Sequence, residues 1–240
     1  MNSLQTERGG LLSASALKII ACIFMTVDHI GAYLFPGVIG FRIAGRIAFP
    51  IFAYFIAEGC VYTRNKAKRL IILGALGVAF EGVYYLVFRK IYGNILLTFT
   101  LSVILIYSLQ WLKKTLAGKS PVKTLLAAAV FCVLFPVTHK ISGIIGVDYG
   151  FTGVLVPVFA AVFEGREHKD LRLFSLSAGL VLLALRMGLN NVQVWSLMAV
   201  PFLALYNGEP GNRRFKYGFY AFYPVHLAVI WLVGLIMQNV

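Results

Sequence analysis

The chain has 240 residues, 60% of them hydrophobic and only 13% charged, with a mean hydropathy of +0.83. A soluble domain carries roughly 25% charged residues, so this chain lacks the side chains to cover a water-soluble globule and reads as an integral membrane protein. Its net charge of +13 falls in short loops between apolar runs, the pattern of topology signals and not of a nucleic-acid-binding face.

A short polar tail, 1–14, precedes the first apolar run. That run is too long for the core of a signal peptide and contains Asp28, so it reads as an uncleaved span. A span needs about 20 residues, and nine candidates follow in order: 15–35, 46–63, 70–89, 94–112, 121–138, 148–164, 171–188, 192–206 and 218–237. The fold class is therefore all-α, a polytopic bundle of about nine transmembrane helices, with 15–237 forming one transmembrane domain. The weakest segments are 148–164, which holds Gly150, Gly153 and Pro157, and the short 192–206; either fits a broken or re-entrant helix. Pro50, Pro121 and Pro224 stand in or near first turns, where proline is tolerated. Cys22, Cys60 and Cys132 show no pairing or metal-ligand spacing and read as small apolar fillers, with no metal site expected.

Orientation follows from the loops. Arg42, Arg46, Arg89, Lys90, Lys140 and Arg186 fall on one side, and the remaining 16 of the 22 basic residues on the other. The positive-inside rule then places the N-terminus in the cytoplasm.

The residues that do not belong in lipid are Asp28, His29, Glu58, Glu81 and His226, with Arg46 and Asp148 at helix ends. An ionisable residue at membrane depth costs about 3 kcal/mol or more and marks a functional site by default. With the first span centred near Met25, His29 lies about 6 Å towards the outside, and His226 lies near the centre of the last span. The imidazoles are thus expected to share a cavity. Asp28 and His29 are about 100° apart around the helix, so Asp28 points elsewhere, towards a basic partner such as Arg46. Arg46 fits either a carboxylate or phosphate clamp or an ion pair with Asp28 or Asp148. Glu58 is expected to pair with Arg64 or Arg69, and Glu81 with His226 or Arg186. No Walker loop, GxGxxG, HExxH or GxSxG motif is present. What remains is histidine acid–base chemistry in a bundle, or proton-coupled transport through the same groups.

Several stretches, taken in order, carry a family resemblance: MTVDHIG at 25–31, RIAFPIFAYFIAEG at 46–59, Asn65 with Arg69-Leu70, Glu81, DYGFTGV at 148–154, LYNGEPG at 205–211 and FYPVHL at 222–227. Together they resemble the TraX family over nearly the whole chain. The resemblance implies a bacterial inner-membrane, multi-pass acetyltransferase that moves an acetyl group from acetyl-CoA to an amine or hydroxyl, such as a pilin or peptide N-terminus or an envelope glycan. In that expectation His29 is the base or transient acyl carrier and His226 assists. Asp28 and Glu81 set the electrostatics, and Arg46, Arg69, Lys216 and Asn65 hold CoA. Membrane lipid is an expected partner and nucleic acid is not. The competing reading is a small proton-coupled transporter.

Overall fold

The computed structural model describes residues 10–118, 120–165, 167–212 and 216–238. Arg8, Lys119, Arg166, Arg213, Arg214 and most of the 1–14 tail lie outside them. The helices are α1 (Ala14–Tyr33), α2 (Ile39–Gly45), α3 (Ala48–Tyr62), α4 (Lys66–Phe88), α5 (Ile95–Ala117), α6 (Pro121–Ile145), α7 (Gly150–Ala160), α8 (Lys169–Met187), α9 (Ala199–Ala204) and α10 (Lys216–Gln238). A 3-10 helix, Val192–Met198, leads into α9. There is no strand among the described residues, only an isolated bridge between Leu12 and Tyr206.

Five stretches are long and apolar enough to cross a membrane: Ala14–Tyr33, Ile39–Tyr62, Lys66–Phe88, Ile95–Ala117 and Pro121–Ile145. Only 11% of the apolar window is buried in Lys66–Phe88, and the same in Pro121–Ile145. Such helices turn almost all their apolar surface outward, which hydrocarbon accepts and water does not. The protein is an all-α membrane protein. The segments read as weakest are indeed short. The 11 residues of α7 rise about 16 Å, roughly half the hydrocarbon thickness. The 192–206 stretch divides into a 3-10 helix of 7 residues and an α-helix of 6. One boundary is corrected: the second span begins at Ile39, not at 46, and Arg46 is the C-cap of α2. Gly37 and Gly40 and the lone Arg42 disguise that start in the sequence.

The chain divides into two compact units, 1–52 with 187–240, and 53–186. In the first, Ser13 caps α1 by accepting from the Ala16 amide at 3.3 Å, the expected role for serine there. The start of α1 is tied to the segment before α10: Leu12 N–H donates to the Leu205 carbonyl at 2.9 Å, Asn207 N–H to Leu12 at 2.9 Å, and Ala14 N–H to Glu209 at 2.8 Å. α1 packs against α2 and α10. The α1–α2 approach is so close that a Cβ on Gly45 would strike the Asp28 side chain, and one on Gly31 would strike Phe41.

In the second unit α5 is the hub, contacting α4, α6 and α7. Asn94 caps it by accepting from the Leu96 and Leu97 amides at 3.1 and 3.3 Å. Its inward hydroxyls are satisfied by backbone: Thr98 donates to the Asp148 carbonyl at 3.1 Å and Ser102 to Val154 at 2.8 Å. Hydroxyls used this way let helices approach without orphaned groups in a dry interior.

Candidate functional site

The first unit brings His29 and His226 together, 197 residues apart in sequence, with His29 Nδ1 and His226 Nε2 at 2.8 Å. Three contacts set the ring positions. His226 Nδ1 lies 2.8 Å from the Phe222 carbonyl one turn earlier. The Phe222 ring stacks on His226 at 4.9 Å and 8°. Tyr33 stacks on His29 at 6.1 Å. Pro224 leaves α10 without one backbone donor nearby.

The protons of the pair follow from its partners. A carbonyl only accepts, so His226 Nδ1 carries its hydrogen and a neutral His226 offers Nε2 as an acceptor. His29 must then donate from Nδ1. That leaves His29 Nε2 as the unprotonated nitrogen, a base whose opposite nitrogen is held by a second imidazole. His226 is buried at 6% exposure, and His29 remains partly accessible.

Asp28 is turned away from His29, as the helical angle predicts. Its carboxylate accepts from Arg46 Nη2 and lies 2.8 Å from Arg42 Nη1. Arg42 also donates to the Asp28 backbone carbonyl at 3.0 Å. Arg46 reaches Gln193 Oε1 on the 3-10 helix at 3.3 Å, and its Nε donates to the Arg42 carbonyl at 3.1 Å. The cluster therefore ties α1, α2 and the 3-10 helix to one buried carboxylate. A buried ion is tolerated when its lone pairs are all engaged, and this one has two guanidinium groups. Among the partners open for Arg46, Asp28 is one that it meets. Arg42 and Gln193 were missed by sequence reasoning. Arg42 had a signal, since it stands four residues before Arg46 on the same helical face. Gln193 had none.

The TraX protein family model matches residues 13–234. The chain belongs to the TraX family. It is also 28% identical over 255 residues to the "Probable fimbrial assembly protein FimC, serogroup H1" of Dichelobacter nodosus, covering 94% of this chain and 97% of that one. A shorter match, 45% identical over 60 residues, is to "Uncharacterized protein RP591" of Rickettsia prowazekii (strain Madrid E), covering 25% of this chain and 23% of that one. No solved structure matches.

Other TraX motif residues have structural engagements in this TraX-family chain. The 205–211 stretch is the tie that holds the start of α1, with Gly211 at φ 69 against Ser15. Glu81 is held by backbone and not by Arg186, one of the two partners expected for it. Its carboxylate accepts from the backbone amides of Tyr92, Gly93 and Asn94 and, at 2.9 Å, from Asn94 Nδ2. Those amides lie 11–13 residues on in the chain, in a turn begun by Arg89 in the left-handed region at φ 55. A carboxylate facing a nest of N–H groups needs no cation, and this is why the expected pairing fails. Glu58 likewise pairs with Arg172, not with Arg64 or Arg69. Arg172 donates to the Ala160 carbonyl at 3.3 Å and lies 4.5 Å over the Tyr54 ring. Asn65 caps α4, accepting from the Lys68 amide at 2.8 Å. Arg69 donates to the Ile56 carbonyl at 3.0 Å, and its buried Nε has no partner. Lys216 opens α10, and its side chain lies outside the described residues. Cys22 and Cys60 are buried free thiols, as expected of fillers, whereas Cys132 is exposed.

Proposed function

We propose that this protein is an acetyl-CoA-dependent acetyltransferase of the bacterial cytoplasmic membrane, N-terminus inside, with His29 as general base. The observation that supports it is the 2.8 Å contact of His29 with a His226 whose other nitrogen faces a carbonyl, from which His29 Nε2 follows as the unprotonated nitrogen.

In this reading Nε2 removes the proton from an acceptor amine or hydroxyl as that group attacks the acetyl carbonyl. The resulting imidazolium keeps its Nδ1–H on His226 Nε2, so the positive charge stays hydrogen-bonded throughout. The bond from carbonyl carbon to sulfur then breaks, and the Nε2 proton goes to the departing CoA thiolate. Protons and charge balance without a further group. Asp28 acts one step removed: by fixing α2 and the 3-10 helix against α1 it holds the helix that carries His29. Lys216 opens the helix that carries His226, about 15 Å from it along the axis, and is assigned to the anionic groups of CoA. The name of the fimbrial assembly relative directs the acceptor assignment to a fimbrial subunit, as its terminal amine.

The test is transfer of labelled acetyl from acetyl-CoA in membranes or nanodiscs. His29→Gln is expected to lose about a hundredfold or more of the rate. His226→Phe, which removes the acceptor for His29 Nδ1–H, is expected to lose activity, and His226→Gln, whose amide oxygen can accept, to recover part of it. Folded His29→Gln with undiminished transfer would overturn the assignment.

A further inference from the structure

A groove of about 450 Å³ runs between α1 and α10, lined by Ile19, Cys22, Ile23 and Val27 on one side and Phe219 and Phe222 on the other. It is open along one flank, and its walls offer almost no hydrogen bonding. Thr26, its one polar side chain, donates to the Cys22 carbonyl at 3.0 Å. At one end Lys18 Nζ lies 5.6 Å over the Phe219 ring. At the other end Phe222 is the residue stacked on His226.

We infer that this groove is a seat for an anionic phospholipid, its phosphate at Lys18 and one acyl chain along the groove to Phe222. Two features select that occupant. A chain of CH₂ groups leaves nothing unsatisfied against these walls, whereas the amides of a pantetheine arm would be stranded there. In the orientation proposed above Lys18 stands at the cytoplasmic end of α1, and cytoplasmic leaflets are the anionic ones; the leaflet assignment rests on that orientation. The consequence is regulatory. A chain in the groove backs the Phe222 ring, and through it holds His226 against His29.

The experiment uses purified full-length protein in nanodiscs of phosphatidylglycerol or phosphatidylcholine. Lipid retained through detergent extraction is counted by native mass spectrometry, and Cys22 alkylation by a membrane-permeant maleimide is followed in a Cys60→Ala, Cys132→Ser background. Expected are selective retention of phosphatidylglycerol, slower Cys22 alkylation in its presence, and about fivefold weaker retention in Lys18→Gln. Ile23→Trp, which fills the groove from an exposed position, is expected to abolish retention while the protein remains folded. Equal retention of both lipids, or protection of Cys22 by acetyl-CoA instead of by phosphatidylglycerol, would overturn the inference. None of these measurements uses acetyl transfer, so a failed enzyme assignment and an empty groove are told apart.

Discussion

Asp28 shows how much a single side chain can organise inside a membrane. Its carboxylate is shared by Arg42 and Arg46, and removing only its charge takes from both guanidinium groups the anion that they share. Breaking one side of a buried pair costs about 3–5 kcal/mol, whereas replacing both sides by apolar groups is far milder. Asp28→Asn is therefore expected to lower thermal stability in nanodiscs strongly. Asp28→Leu combined with Arg42→Met and Arg46→Met is expected to recover much of that loss; a triple variant less stable than Asp28→Asn would contradict this account. At this scale the sequence was informative about which polar residues matter, because lipid makes each one conspicuous. It was informative about partners only where helical depth could be counted. His29 with His226, and Asp28 with Arg46, come from nearly level positions on their helices. Glu58 finds Arg172 across 114 residues, and no spacing rule reaches that far.

Among the elements, the turn between α4 and α5 illustrates a carboxylate used as scaffolding. Glu81 gathers the amides of Tyr92, Gly93 and Asn94, and Asn94 in turn caps α5. The same turn meets the connection after α6, where Asp148 N–H donates to the Gly93 carbonyl at 2.6 Å. Gly93 sits there at φ 72, with the Gly146 carbonyl where a side chain would be. Glu81→Gln presents an NH₂ to donors that need an acceptor, and an unsatisfied buried donor costs about 1–3 kcal/mol. The expected outcome is faster hydrogen exchange at residues 92–94; unchanged exchange there would remove Glu81 from this role. The sequence revealed the start of α6 through Pro121, whereas Asn65, read as a CoA contact, is the cap of α4. It concealed α2, whose seven residues include Gly40, Arg42 and Gly45. Glu81 looked chemical for the same reason that it is costly, and the backbone amides that satisfy it carry no signature in residue identity.

For the molecule as a whole, the first unit is made from both ends of the chain, 1–52 and 187–240, and the second from the contiguous stretch between. Composition alone established a membrane protein, and the outward apolar faces of α4 and α6 are its structural expression. Contacts place Lys18 beside Phe219 and His29 beside His226, so α1 and α10 run parallel and start at the same end. With the N-terminus inside, Leu11→Cys and Asn212→Cys are both expected to react with a membrane-impermeant maleimide from the cytoplasmic side only. Labelling of the two from opposite sides would refute the parallel arrangement.

The meeting of α1 with α10 also sets a clock. His226 leaves the ribosome 197 residues after His29, an interval of about 10–40 s at 5–20 residues per second. Arg42 follows Asp28 by only 14. The nascent chain therefore neutralises its most expensive charge almost at once, yet holds His29 against Tyr33 alone, without its imidazole partner, until α10 arrives. The His29–His226 contact is thus made only once α10 is inserted, and ribosomes stalled before α10 would display every span up to that point with the pair unmade.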